Sequence, residues 1–471
     1  MTGPNADFPQ KQDLQRALAA ATARGAEFAE IYVERQTSDT VRIEEQVVRE
    51  ASRGAILGAG IRAIVGEKVG YAYTDDIDPA SLAEAARVAG EIAAGGGQVQ
   101  AADLAALTTA KPYSAVRTFP SEIDAAGKLE VARQADLAAR AYDGRVAEVL
   151  VALMDDDKTV LVANSEGLHV TDRRVMTSLR VTVAAEAGGT RQRGFHSFSG
   201  RAGYELFDRQ SPADVASEAA RQAVLLLGAE ETPAGKMPLV LAHAGGGVLL
   251  HEAIGHAFEG DFIRKKSSLF AGRLGERIAV EGCTIVDDAT APGQRGTINI
   301  DDEGTPGERT VLVENGVLKG FLYDRLNARL MNVVSTGNGR RQSYRHVPVP
   351  RMTNTVMLAG SVPPEEILAS VARGFYAKSM GGGQVDISSG NFVFEVTEGY
   401  LIENGKIGQA VKGANLIGNG GEILSKIEMI GNDFAYYTGQ GTCGKAGQGV
   451  PVADGMPTIK IAEITIGGTR S

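Results

Sequence analysis

A chain of 471 residues is too long for one hydrophobic core, so two domains are expected, with three the alternative. With 43% hydrophobic and 23% charged residues it is globular in composition, and 59 glycines point to turns and close-packed backbone rather than a helical bundle. The net charge of −10 argues against nucleic-acid or anionic-membrane binding, and no apolar run approaches the roughly eighteen residues of a membrane span.

Met1–Asp7 has no basic region leading into an apolar core, so no secretory signal is expected. Residues 11–24 carry alanine and leucine at helical spacing and predict an amphipathic helix. Over 26–74 the pattern changes to short runs such as Ile31-Tyr32-Val33 and Val41-Arg42-Ile43 with turn signals between them, which suits a curled antiparallel sheet. A second helix is predicted from Pro79 to Ala94, then a loop over 95–120 with a glycine cluster, then a helix over about 121–142. Strands follow at 146–154, 159–163, 169–171 and 178–184, and a helix near 212–227 ends at Gly228. Glu230–Lys236 is polar and rich in breakers, which places the main boundary there. The expected class is therefore α+β. An N-terminal domain of sheet and helices spans 1–229, and a mainly antiparallel β domain spans 236–471. In that second domain Asn315-Gly316 and Asn404-Gly405 mark two hairpins, because both residues of a two-residue turn take positive φ. Short helices are expected near 364–373 and 421–427.

The most informative stretch is His251-Glu252-Ala253-Ile254-Gly255-His256, in a chain with six histidines. Zinc hydrolases need neutral imidazoles to hold the metal and a carboxylate to take a proton from the activated water. The familiar helical pattern sets the histidines four apart, whereas here they are five apart. At about 100° per residue that leaves the side chains roughly 140° apart on an α-helix, too far to share an ion. A local π-bulge would return them to one face, with Gly255 supplying backbone freedom for the distortion. Glu252, next to the first ligand, is the expected general base. The alternative is a chance pattern on a surface helix, with Glu252 a salt-bridge partner.

Two histidines need a third protein ligand. The candidates are Cys443, Cys283, His243, Glu259, Asp261 and His346. Cys443 lies between glycines, with Lys445 close by to favour the thiolate, although a buried apolar role suits either cysteine. Two cysteines are too few for a disulfide framework, so reduced thiols and a cytoplasmic location are expected. Glu259 and Asp261 are candidate orienters of the histidines or solvated residues at a helix end.

Beyond these residues the chain resembles the TldD/PmbA family of zinc metallopeptidases, in its metal-binding TldD branch. The likeness is carried by Leu250–His256 with Glu259-Gly260-Asp261, by Gly339–Arg345 with Pro350–Thr355, by Gly381–Gln384 with Asn391–Glu398, and by Met429–Asp433 with Gly441–Lys445. Gly58–Arg62 and Gly70–Thr74 resemble the family's first domain, so the likeness spans nearly the whole chain. Ala257 stands where glycine is expected, a departure that touches no assigned role. The resemblance implies a Zn2+ site made by His251, His256 and Cys443, with Glu252 as catalytic base. It also implies an active site in a cleft between protomers of a homodimer, or of a heterodimer with a PmbA-type paralogue. The implied substrates are peptides or unfolded proteins of leader-peptide or antitoxin type.

Two regions are candidate substrate contacts. The glycine-rich stretch 381–398, with Gly382 and Gly383, would offer a sheet edge to an extended peptide, unless the strand is paired on both sides. Arg340, Arg341, Arg345 and Arg351 form a basic block that would hold a carboxylate or polarise a carbonyl, or else make salt bridges between subunits. A non-catalytic, metal-stabilised partner subunit is the competing function. An intact Glu252 weighs against it, since structural zinc sites need no base.

Overall fold

A computed structural model describes residues 8–95, 100–386 and 388–469; Met1–Asp7 and residues 96–99 of the expected loop fall outside the described residues. The chain is mixed α/β and mostly strand. Its first 200 residues build one seven-stranded sheet, in which Lys68–Thr74, Val47–Val65, Phe28–Glu44, Val146–Asn164 and His169–Ala187 lie side by side. Thr108–Thr109 and Thr190–Gly200 both pair with His169–Ala187.

Alternation along Phe28–Glu44 sorts its side chains between two faces. Ala29, Ile31, Val33, Val41 and Ile43 pack under the helices Lys11–Thr22, Pro79–Ala93, Ala125–Tyr142 and Pro212–Leu227. Tyr32 points the other way, packing with Ile300 and Tyr344 of the second half. Glu30 and Glu34 share that direction and bond Arg341 and the Tyr344 amide.

Two expected strand pairs are single long strands. Asp155-Asp156-Asp157-Lys158 reads as an interruption in the sequence, yet every one of these charges is met within the fold. Asp155 receives Lys128 at 2.7 Å, Asp156 accepts from Ser38 at 2.5 Å, Asp157 receives Arg173 at 2.6 Å, and Lys158 meets Glu34 at 3.1 Å. Cross-strand and helix-to-strand pairing thus carries the ladder through a polar run.

In the second half, Gly235–Leu241, Arg373–Val385, Asn391–Glu403, Ala414–Asn419 and Ile459–Gly467 pair in turn and close into a ring. Beside it runs a six-stranded sheet that includes Ile285–Asp288, Asn354–Met357 and Ala453–Met456. Both expected hairpin turns have positive φ at each residue: 48° and 82° at Asn315 and Gly316, 51° and 74° at Asn404 and Gly405. The segment 247–258 is wedged in the core between ring and sheet. Leu249, Leu250, Ala253, Ile254 and Phe258 pack there with Phe375, Phe394, Met352 and Met456.

Candidate metal centre

The wedge changes pitch along its length. Gly247–Leu250 is α-helical, His251–Gly255 is a π-turn, and His256–Phe258 is a 3-10 turn. The His256 amide reaches back five residues to the His251 carbonyl, so the extra residue between the histidines is taken up by the wider turn. The two rings stand edge to face with centroids 5.2 Å apart. Gly255 does not act as expected, since its φ of −58° and ψ of −51° are ordinary helical values. Its missing side chain is instead a matter of space: a Cβ there would come within 2.2 Å of Met352 Sδ.

Cys443 arrives from the hairpin formed by Thr442–Lys445 and Gln448–Pro451. Its Sγ lies 3.6 Å from His256 Nε2, and one donor atom from each of His251, His256 and Cys443 falls within 4.8 Å of the others. All three residues are buried. Both ring nitrogens of His251 are buried without a hydrogen-bond partner. His256 turns Nδ1 to Glu259 Oε2 at 3.0 Å, which leaves Nε2 facing the sulfur. Unmet buried donors are costly, and an imidazole–imidazole–thiolate set is one that zinc accepts, so these residues fit a metal ion.

The other candidate ligands are engaged elsewhere. Cys283 sits in the apolar core, where burial pushes its thiol up to about 12. Half-exposed His243 lies 3.1 Å from Asp433, and His346 Nδ1 lies 3.0 Å from Ser343 Oγ. Glu259 and Asp261 both receive Lys445 Nζ, at 2.9 and 2.7 Å. Lys445 therefore works differently from expectation: it fixes the carboxylate that orients His256. Burial raises the Cys443 thiol, but the two imidazoles outweigh it and bring the group down to about 5. Glu259, which burial would raise, is likewise drawn down to about 2 by His256 and Lys445.

Glu252 is a quarter exposed where the histidines are buried, and its Oε2 lies 3.9 Å from His256 Nε2. Two further neighbours complete the surroundings, of which Asp454 was not anticipated and Arg351 was expected only as part of the basic block. Asp454 is buried against the wedge at Gly247, with Oδ1 unpartnered. Burial raises its carboxyl to about 7, with His251 opposing and Glu252 adding to the rise. The other is Arg351, here wholly buried, whose Nη2 donates to the Cys443 carbonyl. Asp454 lies some two hundred positions from the motif in a strand of ordinary composition, so no local spacing marks it.

The arginine block divides. Arg340 donates to the carbonyls of Met352 at 2.5 Å and Pro451 at 2.7 Å, while Arg341 pairs with Glu30 at 2.6 Å. Arg345 is exposed and lies 3.1 Å from Asp75. Residues 375–377 are paired on both sides, but from Met380 to Val385 the strand pairs, among the described residues, with 392–396 alone. Gly382 is exposed on this open edge with free space where a Cβ would stand, and Gly383 lies against the Phe394 ring.

The sequence matches the family description "PmbA/TldA metallopeptidase C-terminal domain" over 234–468, the central domain over 119–227, and domain 1 over 29–93. A "Metalloprotease TldD homolog" of Haemophilus influenzae is 44% identical, covering 98% of this chain and 96% of its own. The chain belongs to the PmbA/TldD family of metallopeptidases. A family member of Methanothermobacter thermautotrophicus, named "Metalloprotease", is 34% identical over 94% of this chain and 96% of its own. Among solved structures, TldE from Thermococcus kodakarensis superposes with a TM-score of 0.76 at 22% identity, covering 97% of this chain and all of that one. A protein of Thermotoga maritima described as a putative modulator of a DNA gyrase gives 0.78 at 23%, over the same shares. At such identities the solved structures speak for the PmbA/TldD fold alone.

Proposed function

We propose that this metallopeptidase is a zinc enzyme in which His251, His256 and Cys443 hold the ion and Glu252 is the general base. One observation carries the proposal: three buried donors converge, with the His251 nitrogens unpartnered, beside a carboxylate that keeps partial access to solvent. A zinc ion there would supply Lewis acidity, lowering the pKa of a water nucleophile and polarising the scissile carbonyl. Glu252 takes the water's proton on its carboxylate and returns it to the departing amine. Glu259, held by Lys445, keeps His256 Nδ1 occupied and so directs Nε2 toward Cys443. Arg351 fixes the Cys443 carbonyl and with it the hairpin that presents the sulfur.

The substrates are peptides or unfolded segments of leader-peptide or antitoxin type. An extended chain would add to the open edge at Met380–Val385 past Gly382 and Gly383, through main-chain bonds that need little side-chain identity. Arg345 and Arg340 are retained as substrate contacts, and Arg341 supports them by tying the halves together through Glu30. We further assign units 1–229 and 236–471, a cytoplasmic location consistent with two free thiols, and a homodimer or a heterodimer with a PmbA-type paralogue.

The test is metal analysis of the purified protein beside Cys443→Ala, with cleavage of an unstructured peptide by both. Near one zinc per chain, lost with activity in the variant, is expected. Full zinc and activity without Cys443 would remove it from the site.

A further inference from the structure

A cavity of about 160 Å³ lies between the first-half sheet and the second half, with Arg174, Arg201, Arg340, Arg341, Asp302 and Val450 among its walls. Most of its charges are balanced. Arg174 meets Asp172 and Asp302, and Arg341 meets Glu30. Two guanidiniums are not. Arg201 donates Nε to the Thr297 carbonyl at 2.9 Å, and Arg340 donates to the Met352 and Pro451 carbonyls. Among the described residues, neither has a carboxylate within ion-pair distance. Asp156, also in the wall, is bound by the neutral donors Gln36 and Ser38, so one carboxylate faces the two unpaired guanidiniums across the cavity.

A guanidinium drawn away from water without a counter-ion is costly, and here buried Arg340 and partly buried Arg201 face one small space. Burial and the neighbouring Arg174 and Arg340 push Arg201 down to about 9, a sign of uncompensated positive charge. The planar fork of arginine matches a carboxylate.

Two residues of the cavity wall, Val450 and Pro451, belong to the hairpin that carries Cys443. Val450 is the cross-strand partner of Cys443, and such partners present their side chains on the same face. Arg340 grips the next residue of that strand at Pro451. On the outer side, exposed Gln342 and partly exposed Lys158 line the cavity and leave a way in.

We propose that this cavity binds the C-terminal carboxylate of a peptide between Arg201 and Arg340, so that the enzyme acts by preference close to free C-termini. The proposal rests on the peptidase assignment above, and its test separates the two. The full-length protein is titrated calorimetrically with N-acetyl-Ala-Ala, with its C-terminal amide and with inorganic phosphate, using wild type, Arg201→Gln and Arg201→Lys.

In wild type the acid should bind at least about tenfold tighter than the amide, as loss of a charge-assisted pair implies. That preference should vanish in Arg201→Gln and survive in part in Arg201→Lys. Equal binding of acid and amide by wild type overturns the proposal. So does a preference that persists in Arg201→Gln, because the carboxylate then sits elsewhere, the metal included. Phosphate binding as tightly as the acid and displacing it overturns the peptide assignment in favour of a free-anion site. Binding needs no turnover: acid preference lost with Arg201 in a protein that cleaves no peptide upholds the cavity and sinks the peptidase mechanism. Cleavage with no acid preference does the reverse.

Discussion

Arg174 and His251 are both buried polar side chains, and their surroundings are built in opposite ways. Every arm of Arg174 is met: Nε by Asp172 at 2.8 Å, Nη1 by Asp302 at 2.5 Å, Nη2 by the Ile300 carbonyl at 2.9 Å. Because Asp302 and Ile300 belong to the second half, this one side chain ties the two halves together. His251 is buried more deeply still, yet neither ring nitrogen has a hydrogen-bond partner. Burial costs both groups, the charged guanidinium more than the imidazole, yet it is Arg174 whose hydrogen bonds are all made inside the protein. In Arg174 complete satisfaction makes an interlock; in His251 two unmet nitrogens stand beside a second imidazole and a thiol, a set that fits an ion.

Substitutions can break or sharpen this contrast. The largest effect is expected from Cys443→Ala, with loss of bound metal and of peptide cleavage together, checked by elemental analysis beside an activity assay. Glu252→Gln should keep the metal and lower kcat by about a hundred- to ten-thousandfold, the usual worth of a general base. Turnover at the wild-type rate would take Glu252 out of the mechanism. Arg174→Met leaves Asp172 and Asp302 with an unpaired buried charge and should cost about 3–5 kcal/mol in denaturant unfolding. A change below 1 kcal/mol would mean that the interlock is not what joins the halves.

Gly255→Ala forces a methyl against Met352 Sδ and should lower stability by about 1–3 kcal/mol, as overpacking does. No loss would mean that Met352 moves aside and that the contact with Gly255 does not matter. The smallest effect is expected from Glu259→Gln, which keeps a hydrogen bond to His256 but not the charge. Metal affinity should fall by roughly tenfold to a hundredfold, measured by competition with a chelator.

The motif and the hairpins could be read directly because their signals are local. His251 and His256 with Glu252 between them announce a site within six residues, and Asn315-Gly316 announces a turn within two. The polar run Asp155–Lys158 misled for the complementary reason. Read along the chain it breaks a strand, whereas its partners Lys128, Ser38, Arg173 and Glu34 lie elsewhere in the sequence. Gly255 misled in the same way, since what it avoids is Met352, about a hundred residues on.

By itself, then, the sequence determined the helices and turns and two of the three converging donors. Periodicity, capping and turn chemistry act over a few residues, so they can be read without the fold. Only the tertiary structure decided that Cys443 meets His256 across 187 positions, that Lys445 serves Glu259 rather than the sulfur, and that Arg201 and Arg340 face one cavity. Such meetings depend on strand register and on which face of a sheet a side chain takes, and the packing of the whole chain sets both.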